Sequence, residues 1–338
     1  MRLLIILLLY SATALALFGP APRPRAETPI PGRYIVKLRS SKFLSNLHAA
    51  KKLLKTEPLF TYKTGKFGGF AADIPDDVVK ILRRLPIVDW IEQDKVMTTS
   101  LLSSTHGESV EKRAFDTESG STWGLARISH RTVGSQTYGV AKSASLFAVK
   151  VFDSSGSGSS STTLAGLNFV ATDAKTRAGC GNGIVVSMSL DGARSTAVNM
   201  AVSDLVSSGI FVVVAAGNDG ADASNYSPAS EATAFTVGAT NSSDGFAYFS
   251  NYGGNVDILA PGVAVLSTWP NNQTNILSGT SMATPHVAGL AAYILTLEGK
   301  KDPSTLAARL SALSTKMAIW ALPSGTKNYL AFNGYSGT

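Results

Sequence analysis

The sequence predicts an α/β protein: a mainly parallel sheet flanked by helices over residues 114–338, preceded by a small α+β unit over residues 33–97. Three observations carry this. After Arg113, short and near-continuous apolar runs alternate with segments of helical period, the pattern of strands buried on both faces. Before it, the hydrophobic pattern switches between periods of two and 3.6 within only 65 residues. Charge also divides the chain there: residues 1–113 hold 18 Lys+Arg against 10 Asp+Glu, whereas residues 114–338 hold 12 against 13. The overall charge of +7 therefore belongs to the front piece, and neither piece has the clustered basic face or motif that nucleic-acid binding requires.

Taken in order, Met1-Arg2, the apolar run from Leu3 to Leu9 and the small-residue site Ala14-Leu15-Ala16 form the layout of a secretory signal peptide, residues 1–16. The run is too short for a membrane span, which needs about 20 residues, so a secreted protein without a membrane anchor is expected. Five prolines between Pro20 and Pro31 make residues 17–32 an extended linker. Folding is expected to begin near Arg33, with strands at Tyr34–Leu38, Phe67–Ile74 and Val88–Glu92 and helices at Leu44–Leu54 and Val78–Leu85. Residues 98–113 read as a polar linker ending in the dibasic pair Lys112-Arg113, a candidate cleavage point.

In the larger piece, strands are expected at Leu146–Phe152, Ile184–Leu190, Ile210–Ala216 and Phe235–Ala239. Helices are expected at Thr162–Lys175, Ala197–Ser207 and Thr284–Leu297, and from the cap Asp302-Pro303 to Leu313. One cysteine and no HExxH exclude the common local zinc and redox signatures, so no cofactor is required. Chemistry is concentrated at Gly279-Thr280-Ser281, where a serine enters an apolar helix. The unpaired N–H groups of a helix start would stabilise negative charge developing beside Ser281, although an ordinary capping serine has the same local pattern.

The stretch GTSMATPHVAGLAAY resembles the nucleophile segment of subtilisin-like serine proteases of the proteinase K group. AAGN (215–218), NYSPAS (225–230), FSNYG (249–253), APG (260–262), LSTW (266–269) and WGLARIS (123–129) extend that resemblance. It implies a subtilisin-like domain over 114–338, and a ferredoxin-like inhibitory propeptide over 33–97 that blocks the cleft. It also implies Ser281 as nucleophile and Asn218 as the oxyanion donor. Gly156, Ser157, Gly158, Ser189, Leu190, Asp191 and Gly192 would be the segments that pair with an extended polypeptide substrate. Asp191 stands where the family commonly has glycine, and its carboxylate would disfavour acidic or apolar side chains if it points inward. A structural calcium is implied at Asp257 with the carbonyls of Ala232 and Ala234.

The resemblance then breaks. The triad order of such enzymes is Asp, His, Ser, so acid and base belong well upstream of Ser281. Neither family motif occurs: His130-Arg131 runs directly into sequence matching the region beyond the histidine helix, with about sixty residues gone. With them goes a central strand, expected between those at 146–152 and 184–190. Cys180 is left without the partner that the resemblance places in the absent stretch. His286 lies about 140° around the helix from Ser281 and reads as a packing residue; His130 has nothing to orient it, and His48 and His106 precede Arg113. The expectation is a secreted serine endopeptidase precursor by descent that does not cleave as written. Its partners would be polypeptides and its own propeptide, and it would be monomeric. The alternatives are an active endopeptidase with a misassembled sequence and a polypeptide-binding pseudoprotease. Asn241 and Asn272 open glycosylation sequons.

Overall fold

The computed structural model describes residues 28–39, 43–54, 56–99, 133–134, 137–269 and 273–334. The signal-peptide reading, residues 17–27 of the linker, Lys112-Arg113, the segment 123–129, His106, His130 and Asn272 lie outside them. No helix among the described residues is long and apolar enough to cross a membrane.

The front unit runs β1 (Pro29–Leu38), α1 (Phe43–Lys51), β2 (Phe60–Thr64), β3 (Phe67–Asp73), α2 (Asp76–Leu82) and β4 (Val88–Thr99). Its strands pair in the order β2-β3-β1-β4, all antiparallel. Alternation along β1 decides which way each side chain faces. Val36 and Leu38 pack with Phe70, Val79 and Leu82 in a core closed by the unit's own helices. Ile35 instead joins Tyr62, Phe67, Ala71 and Met97 in a core shared with the larger piece.

The larger piece contains β5 (Ser157–Ser159), α3 (Ser160–Asp173), β6 (Val185–Met188), β7 (Leu190–Ala193), α4 (Thr196–Ser207), β8 (Phe211–Ala215), β9 (Tyr226–Ser227), β10 (Phe235–Thr240) and β11 (Ile258–Pro261). It continues through β12 (Val265–Trp269), β13 (Gln273–Leu277), α5 (Thr280–Glu298), α6 (Pro303–Leu313), β14 (Thr315–Lys316) and β15 (Tyr329–Leu330). The central sheet has the order β14-β15-β11-β10-β8-β6 and is parallel except for β14. α3 and α4 cover one face of it, and α5 and α6 the other. A capping box between Ser159 and Thr162 starts α3, and Asp302 caps α6 by accepting from Thr305 N at 3.0 Å.

Two expected boundaries move. Pro29 to Gly32 belong to β1, where Pro29 lies opposite Lys95, so the ordered unit begins before Arg33. β4 runs seven residues past Glu92, through Thr98 and Thr99 of the expected linker, and its far end leaves the front unit.

One expected strand is absent. Residues 146–152 form no ladder, and among the described residues β6 ends the sheet with only β8 beside it. Between them lies a cavity of about 1260 Å³, walled by Leu146, Val151, Phe152, Ile184 and Val186, with Cys180 at its border. An apolar run becomes a strand only where a neighbouring strand pairs with it, and no strand among the described residues pairs with 146–152. Leu146 and Phe147 are 40% and 52% exposed as a result.

Candidate active site

Ser281 occupies the first turn of α5, buried, because the helix begins at Thr280, four residues before the apolar period becomes clear. Its Oγ donates to the carbonyl oxygen of Ser189 at 3.1 Å, and Ser189 Oγ donates back to the Ser281 carbonyl at 3.1 Å. This reciprocal pair ties the helix start to the residue just before β7.

Asn218 follows β8. Its Oδ1 accepts from Thr280 N at 2.8 Å and Thr280 Oγ1 at 2.9 Å, which fixes the amide plane. The buried Nδ2 has no partner among the described residues. A buried donor without an acceptor is costly, and the position beside the start of α5 suits it to meet a transient oxyanion.

The loop carrying Asn218 is stapled by Asn251. Asn251 Oδ1 accepts from Asp219 N and Ala221 N, both at 3.0 Å, and its Nδ2 donates to Ala216 O at 2.9 Å. The close approach requires glycine at 217, since a Cβ there would lie 2.3 Å from Asn251 Nδ2 and the backbone has φ of 102°. Asn251 sits within the FSNYG stretch, but its task is set by partners some 30 residues upstream.

Both backbone segments singled out beside Ser281 are occupied by the end of β4. Val96, Met97 and Thr98 lie opposite Ser159, Gly158 and Ser157 on one side. Met97, Thr98 and Thr99 lie opposite Gly192, Asp191 and Leu190 on the other. Thr99 N donates to Gly156 O at 3.1 Å. Gly192 permits this, since a Cβ would fall 2.4 Å from Met97 Sδ. The chain thus presents an extended peptide between two strands, leading toward the residue that holds Ser281.

Asp94 and Glu92 of β4 dock on two helix starts. Asp94 accepts from Ser161 N at 3.0 Å and Ser161 Oγ at 2.6 Å in α3, and Glu92 accepts from Ala197 N at 3.2 Å in α4. Burial pushes both carboxyls above their ordinary values, and these hydrogen bonds pull the other way. Tyr62 adds a bond from its hydroxyl to Ser161 O at 3.0 Å. Sequence reasoning missed these contacts, because nothing near Glu92 or Asp94 names a helix more than 60 residues away.

Asp191 is 2% exposed and turned inward; its Oδ2 lies 3.4 Å from where a Cβ on Gly217 would sit. The histidines are placed elsewhere. His286 pairs its Nδ1 with Met282 O at 2.7 Å, one turn back on its own helix, and burial lowers its pKa. His48 is exposed on α1. Cys180 is a free, partly exposed thiol.

Asp257 is engaged on both oxygens. Oδ1 accepts from Lys327 Nζ at 2.7 Å and Oδ2 from Thr236 N at 3.0 Å. Of the oxygens expected to hold calcium, at Asp257 and the carbonyls of Ala232 and Ala234, the only carboxylate already faces an ammonium, which a calcium ion on Oδ1 would have to displace. No group of three His, Cys, Asp or Glu residues able to hold a metal occurs among the described residues.

Residues 114–328 match the model of the Subtilase family, and residues 33–100 match that of the Peptidase inhibitor I9 family. The chain belongs to the subtilase family. It is 41% identical to the cuticle-degrading protease of Metarhizium anisopliae over 377 aligned positions, covering 93% of each chain. Against an alkaline serine protease of Corniculantispora psalliotae it is 40% identical over 387 positions, covering 95% of this chain and 97% of that one. Both alignments are longer than the 338 residues here, so these relatives carry stretches with no counterpart in this subtilase. The crystal structure of a cold adapted subtilisin-like serine proteinase superimposes with a TM-score of 0.58 at 39% identity, covering 64% of this chain and 75% of that one. The architecture of this subtilase is a subtilisin-like α/β fold, and its family and fold match those of secreted subtilisin-like serine proteases.

Proposed function

We propose that this subtilase is, by descent, the precursor of a secreted proteinase K-type serine endopeptidase in which the segment bearing the triad acid and base is lost. The chain as it stands does not cleave peptides. Ser281 is its nucleophile position and Asn218 its oxyanion donor. Gly156 to Gly158 and Ser189 to Gly192 are its peptide-binding segments, with Asp191 excluding acidic side chains at the primary specificity pocket. Residues 33–97 are a ferredoxin-like inhibitory propeptide, a reading supported by the β2-β3-β1-β4 order with two helices on one face.

One observation carries the reading of inactivity: the Ser281 hydroxyl donates to the Ser189 carbonyl oxygen, not to an imidazole. A carbonyl cannot take the proton away. In a subtilisin, removing the histidine alone costs about 10⁶ in kcat. The cavity between residues 146–152 and β6 supports loss of the segment, since it lies where the missing central strand belongs. Self-processing tests this. Purified chain is expected to remain full length, with its Ser281→Ala variant indistinguishable from it. Spontaneous release of the front unit that stops in Ser281→Ala would overturn the proposal. Genomic sequence across codons 130 and 131 separates a true deletion from a skipped exon encoding the acid and base motifs, which would restore the enzyme.

The β4 end lying in the cleft favours a second reading, a polypeptide-binding pseudoprotease. On that reading a fragment of residues 28–99 inhibits a related active subtilase at micromolar concentration. Absence of inhibition removes it.

A further inference from the structure

The disagreement at Asp257 has a physical origin in the register of the sheet. β11 and β15 are adjacent and parallel, with Leu259 opposite Leu330 and Ala331 N donating to Leu259 O at 2.8 Å. Asp257 directly precedes β11, and Lys327 lies two residues before β15. Pairing of the strands therefore delivers the carboxylate and the ammonium to the same end of the sheet.

The residues on either side of Lys327 hold its backbone there. Thr326 Oγ1 accepts from Gly253 N at 2.9 Å. Asn328 accepts from Ile319 N at 3.0 Å and donates to Ile319 O at 2.8 Å. The lysine thus reaches Asp257 from a fixed base, which reduces the entropy lost in holding a long side chain against one partner. With Thr236 N on the other oxygen, Asp257 has a donor on each side.

We propose that the Lys327 ammonium is the resident cation of this corner, so that this subtilase joins β11 to its C-terminal segment without a metal. Calcium gathers six to eight oxygens and gains affinity with the number of carboxylates around it. Here one carboxylate is already neutralised by one ammonium, and an entering divalent ion would meet the lysine charge at close range. An ammonium tethered to the chain cannot be removed by a chelator, so the joint is indifferent to chelators where a calcium joint would open.

The test reads melting of the full chain and involves no activity, so it stands apart from the proposed loss of catalysis. Melts are recorded in EGTA and in about 10 mM calcium chloride, a concentration that fills sites with Kd of about 10⁻⁴ to 10⁻³ M. The wild-type Tm is expected to agree in the two buffers within about 1 °C, and Lys327→Met is expected to melt a few degrees lower in EGTA. A wild-type Tm that rises in calcium, with the rise abolished by Asp257→Asn, would overturn the proposal. So would Lys327→Met melting together with wild type in EGTA. Should Lys327→Met fail to fold, Lys327→Arg, which keeps the charge, is expected to melt near wild type and equally in both buffers; a calcium-dependent rise in that variant counts against the proposal.

Discussion

Asn251 shows how much of the site rests on one side chain that takes no part in the chemistry. Replacing it with alanine leaves Asp219 N, Ala221 N and Ala216 O without their partner. Asn251→Ala is expected to lower stability by about 2–4 kcal/mol, measured by urea denaturation. His286 sets a pH dependence of the opposite kind from a charged pair. Burial keeps its imidazole neutral in the fold, so the unfolded chain takes up a proton first as pH falls. Its contribution is complete above the unfolded value of about 6.5 and declines below it. Melting recorded from about pH 7.5 to pH 5 should therefore fall more steeply for wild type than for His286→Gln. At this scale Ser281 and Asn218 are proposed as site residues because short motifs name them, and the structure sets them beside the start of α5. Asn251 was visible only as a motif letter, since its partners are close in space but not in sequence.

β4 is the element whose sequence was most misleading. Its apolar alternation ends near Glu92, yet the strand continues to Thr99 because β5 and β7 supply ladders on both sides. Tertiary pairing overrides weak local propensity here. Residues 146–152 show the reverse: strong strand propensity but no pairing strand among the described residues, hence no strand. β2 and the β12–β13 hairpin also went unread, as short strands with mixed patterns that depend on β3 and on each other. The long helices and three of the buried parallel strands, β6, β8 and β10, were legible, since burial on both faces imposes an apolar run; the short buried strand β11 went unread. Docking of β4 depends on its carboxylates. Asp94→Ala removes two hydrogen bonds from the start of α3 and is expected to cost about 2–3 kcal/mol. Limited proteolysis should then release the front unit faster than in wild type.

The molecule as a whole is a sheet with an open flank. Among the described residues β6 pairs with a strand on one edge, residues 146–152 pair with no strand, and the apolar cavity between them faces solvent through Leu146 and Phe147. Such a surface favours association and dye binding. The protein is expected to enhance ANS fluorescence in its native state, and Phe147→Asp to reduce that signal and improve soluble yield. A native chain that leaves ANS dark would show the flank to be closed. The overall fold was legible from the sequence; the break proposed between His130 and Arg131 lies outside the described residues. How residues 146–152 and β6 lie relative to each other was not legible, because whether two flanks close or stay apart depends on packing across the whole sheet. Hydrolysis of a fluorogenic peptide by purified chain tests the central claim most directly. The account predicts no turnover above that of the Ser281→Ala variant, and turnover that disappears in Ser281→Ala would contradict it.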